Sequence, residues 1–190
     1  DWSSDASGVP ESVRADIVRV RYDDVDALDT AAKHMGDRLA AIVLEPVIER
    51  LPSEDWVKRA RSLCDEKGAA LIFDEVQSGF GRTGKWFAFE HFHVVPDIIT
   101  AAKGLASGMP LSGVFSRTDI MLKLDVGSIG GTYGGNAIAC AAGAATIRAM
   151  REENMLENAT ERGIQLMTGL RKLQEEYSQI GDVRGKGLMI

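Results

Sequence analysis

Two side chains that can do chemistry stand at the ends of apolar runs in this sequence. Asp74 lies near the end of the run 69–76, and Lys103 directly follows the run 98–102. A carboxylate at the end of a buried strand is costly unless a cation or hydrogen-bond donors meet it, and the protonated ring nitrogen of a cofactor would do so. Apolar surroundings lower the pKa of an amine, so that more of it is neutral and able to form a Schiff base with a carbonyl. Both residues are therefore candidate catalytic groups.

A third candidate is the glycine-rich stretch 130–136, which contains Thr132 and leads into a predicted helix. Glycines expose backbone N–H groups and the threonine adds a hydroxyl, so this loop could seat an anion or a phosphate. Each feature taken singly also has an ordinary structural explanation. Asp74 could cap the following loop or pair with an arginine, Lys103 could extend into solvent, and the glycines could serve a turn.

The elements that must position these residues follow from the hydrophobic pattern. Continuous apolar runs predict strands buried on both faces, and apolar residues at helical spacing predict packed helices. We expect strands over 16–21, 40–44, 69–76, 98–102, 111–116 and 188–190, and helices over 25–34, 54–67, 86–92, 118–123, 136–151 and 155–177. This alternation predicts a three-layer α/β/α domain with a mostly parallel sheet, in which strand ends carry the ligand site.

The composition excludes several classes of function. There are 22 Lys and Arg against 28 Asp and Glu, a net charge of −6, which is unsuited to binding nucleic acid or an anionic membrane. The charge-free stretch 126–147 has too many glycines in its first half to be a membrane helix. Cys64 and Cys140 are expected to be buried, reduced thiols, and the spacing of His91 and His93 does not favour a metal site. We expect a cytoplasmic protein that binds neither nucleic acid nor membrane.

A different class of function is raised by the stretch Gly79–Lys85. It fits the pattern G-x-x-x-x-G-K of nucleotide-binding loops, but Trp86 stands where such a loop needs a serine or threonine for magnesium. The apolar run before it contains acidic residues near its end and so resembles the strand that carries an acidic residue in the same proteins. In that fold the two features lie on different strands, whereas here they share one connection. A nucleotide-binding protein is therefore the alternative from another class.

Three motifs in order give the sequence a more specific likeness. DEVQSGFGRTG begins at Asp74, PDIITAAKG ends just after Lys103, and GGTYGGN surrounds Thr132. Together they resemble the class III pyridoxal-phosphate-dependent aminotransferases, with the 4-aminobutyrate enzymes as the nearest type. The likeness extends from about residue 40 to the end of the chain. It implies the large domain of the fold type I pyridoxal phosphate transferases, the fold of aspartate aminotransferase.

The resemblance also implies roles for individual residues. Lys103 would hold pyridoxal 5′-phosphate as an internal aldimine and then move the proton between the substrate and the cofactor. Asp74 would keep the ring nitrogen protonated, so that the ring can accept electrons. Val76 would pack on the ring, and Gln77 would reach its phenolic oxygen.

Thr132 would bind a phosphate, which in this family belongs to the neighbouring subunit's cofactor, and the enzyme would be a homodimer with shared active sites. Glu45 would lie near the substrate pocket, although the connection after it is shorter than is usual in the family. The substrates would be an amine or ω-amino acid and a 2-oxo acid. An aminomutase or a decarboxylase of the same family would use the same lysine and aspartate.

The resemblance divides the chain into two parts. Residues 1–152 would belong to the cofactor-binding large domain, and residues 153–190 would begin a smaller C-terminal domain. Because the sequence opens on Asp1 and stops within an apolar run, we expect it to be a segment of a longer protein, and the segment alone could be inactive.

Overall fold

The structure, a computed structural model, describes residues 8–48 and 50–190. Its helices and strands alternate along the first two thirds of the chain and give way to two long helices. The strands are β1 (Ala41–Leu44), β2 (Ala70–Asp74), β3 (Ile98–Ala101) and β4 (Gly113–Ser116). The α-helices are α1 (Glu11–Arg14), α2 (Val25–Met35), α3 (Glu54–Lys67), α4 (Thr118–Met121), α5 (Ala137–Glu152) and α6 (Met155–Glu176). Short 3-10 helices span Gly36–Arg38, Ala88–His91 and Lys103–Ala106.

The four strands form one sheet in the order β1-β2-β3-β4. The first three are parallel, and β4 runs antiparallel to β3. The register pairs Leu44 with Phe73 and Asp74 with Thr100, so the carboxyl ends of β1, β2 and β3 meet at one edge. The predicted mostly parallel α/β fold is confirmed, and the predicted 111–116 strand is the antiparallel member.

The core lies between the sheet and α2 and α3. Leu71 and Phe73 of β2 are fully buried, as is Val57 of α3. The sequence sets both ends of α3, since the Ser53 side chain accepts a hydrogen bond from the N–H of Trp56 and Gly68 follows in a left-handed conformation. These contacts fix β2 and thereby its carboxyl end.

The two cysteines have different surroundings. Cys64 packs in the core, and burial raises the pKa of its thiol to about 11, so it stays a thiol at neutral pH. Cys140 is exposed, and its predicted burial is wrong for the described part of the chain. The physical reason is that α5 buries only a narrow stripe at Ala139, Gly143 and Met150.

Two predicted strands are absent from the structure. Residues 16–21 pair with no strand in the described part of the chain, and residues 16–20 line, together with β1, a cavity of about 1310 Å³. Residues 188–190 instead belong to a turn in which Lys186 and Met189 form a single bridge. The N–H of Leu188 donates to the carbonyl of Arg82, so this end of the chain packs on the loop that follows β2.

Among the helices of residues 8–48 and 50–190, none combines the length and the apolar character that crossing a membrane requires.

Asp97, which stands just before β3, bonds to residues of β2 and α3 and to the residue that follows β4. Its carboxylate accepts from the N–H of Leu71 at 2.8 Å, from Arg61 at 2.7 Å and from Arg117 at 2.9 Å. The side chain is only 10% exposed, so these bonds form in a poorly solvated environment. Asp97 therefore helps to set the alignment of β2 with β3.

We expect Asp97→Ala to lower the free energy of unfolding of the whole protein by about 2 to 3 kcal/mol, because it leaves a buried N–H and a guanidinium without their acceptor. The measurement is urea unfolding followed by circular dichroism. Asp119→Ala is the matched control, since Asp119 also pairs with Arg117 but is 62% exposed and should matter little. Equal effects of the two variants would contradict this role.

The pKa of Asp97 also makes stability depend on acid. Burial by itself would raise the pKa of this carboxyl, but the Leu71 N–H and the Arg61 guanidinium outweigh it and hold the pKa below its usual range. A carboxyl whose pKa is lower in the folded state contributes stability above its unfolded value, about 3.9, and loses it as the pH falls through the folded value.

Below about pH 4 the free energy of unfolding should therefore fall more steeply in the wild type than in the Asp97→Ala variant. Urea unfolding repeated across the acid range measures the two slopes, and parallel slopes would show that Asp97 is not the group responsible.

Candidate active site

Asp74 is held at the end of β2 with one carboxylate oxygen engaged. Its Oδ1 accepts from the N–H of Val76 at 3.0 Å and from the hydroxyl of Thr100 at 3.1 Å. Within the described part of the chain both hydrogen bonds of this carboxylate go to Oδ1. The half-buried side chain is thus oriented by the neighbouring strand, and Oδ2 remains able to accept an N–H from a ligand. Sequence reasoning missed Thr100, whose register opposite Asp74 only the sheet reveals.

Lys103 follows the adjacent parallel strand, three residues beyond the partner of Asp74. Three residues span at most about 10 Å, so the lysine lies close to the end of β2. Its φ of +43° is in the left-handed region, a strained conformation of the kind that clusters at functional sites. The side chain is exposed and lines a cavity of about 440 Å³ with Met109, Pro110 and Ser112. The structure therefore brings the amine and the carboxylate of the predicted pair to one edge of the sheet.

Val76 and Gln77 occupy a tight turn directly after Asp74. Val76 is half-buried and Gln77 is exposed, so the glutamine amide is available to a ligand. The turn closes where the N–H of Gly79 donates to the carbonyl of Glu75 at 2.9 Å. A side chain at Gly79 would come within 2.8 Å of that carbonyl, which explains why a glycine is needed here.

Glu45 lies at the same sheet edge but not in the same cavity. It follows β1 and lines the cavity of about 1310 Å³ beside Tyr22 and Trp56, whereas Lys103 lines the smaller one. Tyr22 and Trp56 contact each other with ring centroids 5.0 Å apart. The described chain therefore does not bring Glu45 together with Lys103.

Thr132 lies in a loop that the described chain leaves entirely exposed. Residues 122–136 are all exposed, and Tyr133 beside it is 89% exposed. Asn136 ends the loop and caps α5, its side-chain oxygen accepting from the N–H groups of Ile138 and Ala139, each at 3.0 Å. The hydroxyl of Thr132 is thus presented outward rather than packed beside Asp74.

The loop Gly79–Lys85 is not an open phosphate cradle. A side chain at Gly81 would lie 2.9 Å from Met150, and one at Gly84 would overlap Thr160, because the loop packs against α5 and α6. Thr83 is buried and bonded to His91 at 3.0 Å. The geometry gives no support to the nucleotide-binding alternative.

The residues at the sheet edge fit the pyridoxal phosphate that the sequence resemblance implies. Lys103 offers an amine at the wall of a cavity whose volume is typical of small-molecule sites. Asp74, on the neighbouring strand and outside the lining of that cavity, offers Oδ2, which has no hydrogen bond within residues 8–48 and 50–190, as an acceptor for the ring nitrogen. The amine and the carboxylate are therefore of the chemical types that the two ends of the cofactor ring require.

Comparison with known proteins agrees with this chemistry. The family model described as aminotransferase class-III matches residues 10–190. The 4-aminobutyrate aminotransferase GabT of Escherichia coli K12 is 47% identical over 80% of this chain and 37% of its own length. The leucine/methionine racemase of Thermococcus litoralis is 48% identical over 82% of this chain and 36% of its own length.

Among solved structures, the ornithine aminotransferase of Toxoplasma gondii superposes with a TM-score of 0.83 at 38% identity, over 89% of this chain and 41% of that one. It is described as having partial occupancy of PLP at the active site. The chain thus spans less than half the length of these proteins. Since the family model covers nearly the whole chain and the fold is shared, the chain belongs to the class III aminotransferases, a family of pyridoxal-phosphate-dependent enzymes.

Proposed function

We propose that the whole protein is an aminotransferase that uses pyridoxal phosphate to move an amino group from an amine or ω-amino acid, such as 4-aminobutyrate, to a 2-oxo acid. The observation that carries the proposal is the placement of Asp74 and Lys103 at the ends of adjacent parallel strands. The likeness to GabT supports an ω-amino acid as the donor.

When bound, the cofactor supplies an electron-withdrawing ring that stabilises negative charge developing on the substrate carbon. Lys103 would hold the cofactor through its amine, and its free amine would hold and move a proton beside the carbon that carries the amino group. Oδ2 of Asp74 would accept the N–H of the ring and so favour the protonated form of that nitrogen. Thr100 and the Val76 N–H orient the carboxylate for this contact.

Val76 and Gln77 complete the near wall of the site. The half-buried Val76 side chain would pack on the ring, and the exposed Gln77 amide would reach its phenolic oxygen. Glu45 borders the substrate side of the site in the whole protein. Its place at the carboxyl end of β1 supports this role, because β1, β2 and β3 share that edge.

The active enzyme is a homodimer in which Thr132 binds the phosphate of the partner's cofactor. The outward-facing loop supports this, since Leu122 is 78% exposed, Ile129 69% and Tyr133 89%. Apolar side chains left this open are typical of a surface that another chain covers. In this proposal residues 1–152 belong to the large domain and residues 153–190 begin the small one, and the left-handed conformation of Asn154 between α5 and α6 supports a boundary there.

A racemase is a second candidate because of the likeness to the leucine/methionine enzyme. It would use the same lysine and aspartate, but the amino group would stay on its carbon, and the proton removed from that carbon would be returned to its opposite face. Incubation of the whole protein with 4-aminobutyrate and 2-oxoglutarate, and separately with L-leucine, distinguishes transfer of the amino group from inversion of the α-carbon.

Lys103→Ala should abolish both transamination and the near-visible absorbance of the bound cofactor, because no other residue is assigned to bind it covalently. Borohydride reduction followed by peptide mass mapping should label Lys103 in the wild type. Lys172→Ala, which changes an exposed lysine of α6, is the control and should behave as the wild type. Labelling of a different lysine would overturn the assignment.

Asp74→Asn should lower kcat by about two orders of magnitude or more and weaken cofactor binding, because an amide cannot hold the ring nitrogen protonated. Thr100→Val should give a smaller loss, of about tenfold, since the carboxylate stays but loses one orienting hydrogen bond. Steady-state kinetics and cofactor titration measure both. Wild-type rates in Asp74→Asn would refute the role of the carboxylate.

Shared active sites predict complementation between inactive subunits. Lys103→Ala and Thr132→Ala chains mixed and reassembled should regain roughly a quarter of wild-type activity, since half of the dimers are mixed and each contains one intact site. The recovered activity of the mixture, compared with that of each variant alone, is the measurement. A mixture no more active than its components would show that Thr132 serves its own subunit.

A further inference from the structure

Glu75 is the most deeply buried charged side chain in the described part of the chain, although it directly follows Asp74. It is 1% exposed, and alternation along β2 directs it to the face opposite Asp74. An ionisable group is left in such a place only where several donors meet it. The role proposed above for Asp74 does not use Glu75.

Three donors from two separate segments meet this carboxyl group. Oε2 accepts from the hydroxyl of Ser78 and from the N–H of Ala88 at 3.0 Å, and Oε1 accepts from the N–H of Phe89 at 2.8 Å. The two amides open the 3-10 helix Ala88–His91 and would otherwise lack acceptors. The side chain thus joins the turn after β2 to a segment thirteen residues further on.

The backbone of Glu75 is fixed as well. Its N–H donates to the carbonyl of Thr100 at 2.9 Å, and its carbonyl accepts from the N–H of Gly79 at 2.9 Å. The first bond anchors the turn to the strand that leads to Lys103, and the second closes the turn itself. Two hydrogen bonds therefore hold the segment that contains Val76 and Gln77. The N–H of Val76 is bonded to Oδ1 of Asp74, and Ser78, which follows Gln77, is bonded to the Glu75 carboxyl group.

We propose that Glu75 is a positioning residue: it holds the turn 76–79, and through it the Asp74 carboxylate, in the orientation that the bound cofactor requires. This inference rests on the function proposed above. Glu75 touches neither cofactor nor substrate, because its side chain lies on the other face of the sheet. Its effect on the reaction is transmitted by the turn.

The environment agrees with a role in orientation rather than in proton transfer. Burial raises the pKa of the Glu75 carboxyl, while Ser78 and the amides of Ala88 and Phe89 oppose the rise. No exposed face of the side chain is available to exchange a proton with a substrate. What it contributes is a fixed set of hydrogen bonds.

Glu75→Gln in the whole protein tests this, with Glu90→Gln as the matched control. Glu90 accepts the N–H of Phe87 at 2.9 Å and caps the same 3-10 helix, but it has no bond to the turn 76–79. Hydrogen exchange of the amides of residues 76–79, measured without substrate, should speed up in Glu75→Gln and not in Glu90→Gln. The kcat should fall roughly 10- to 100-fold in Glu75→Gln with KM little changed, and it should stay near wild type in Glu90→Gln.

Ser78→Ala removes only the hydrogen bond within the turn and keeps the test decisive if Glu75→Gln fails to fold. It should also speed exchange at residues 76–79 and lower kcat. Equal behaviour of the Glu75 and Glu90 variants, or an unchanged turn in Ser78→Ala, would overturn the proposal. If the wild type itself neither binds pyridoxal phosphate nor transaminates, the proposed function fails, while the exchange experiment still decides whether Glu75 holds the turn.

Discussion

The parallel pairing of β2 with β3 is the constraint on which the candidate site depends. Parallel strands end at the same edge, and the register sets Asp74 opposite Thr100, so the lysine that follows β3 must lie near the aspartate that ends β2. No contact between the two side chains is needed to achieve this. The core between α3 and the sheet maintains the alignment. The ion pairs of Asp97 contribute as well, and Asp97 precedes β3, at the end of that strand opposite Lys103.

The sequence predicted the elements whose signals are local. The continuous apolar runs marked the three parallel strands, of which β2 and β3 lie inside the described sheet and β1 at its edge, and α3 has its cap at Ser53 and its stop at Gly68. The predicted strands at 16–21 and 188–190 are wrong, because a strand needs a neighbour and an apolar pattern does not provide one. Pairing is a property of the fold, not of the segment.

The site residues likewise fall into those with a local signal in the sequence and those whose role depends on the fold. Asp74 and Lys103 could be singled out because a charged group after an apolar run is visible in the sequence. Thr100 and Glu75 could not, because their roles depend on register and on donors from a distant segment. The sequence also singled out Glu45 and Thr132 as site residues, but the described fold does not bring either of them beside Lys103.

The candidate site residues are divided between the sheet edge and an outward-facing loop, and this division has a physical consequence. Asp74, Val76 and Gln77 follow one another at the end of β2, in a turn closed by its own hydrogen bonds, and Lys103 follows the adjacent strand. The phosphate contact assigned to Thr132 comes from a loop that faces outward. A cofactor held as we propose would join two chains, so binding of the cofactor and association of the subunits should stabilise each other.

A crystal structure of the whole protein with pyridoxal phosphate, determined near neutral pH, tests the central claim most directly. The account predicts Lys103 Nζ bonded to the cofactor's C4′ and an Asp74 carboxylate oxygen about 2.7 to 2.9 Å from the ring nitrogen on the opposite side of the ring. A ring nitrogen that faces another residue, or a cofactor attached to a different lysine, would contradict it.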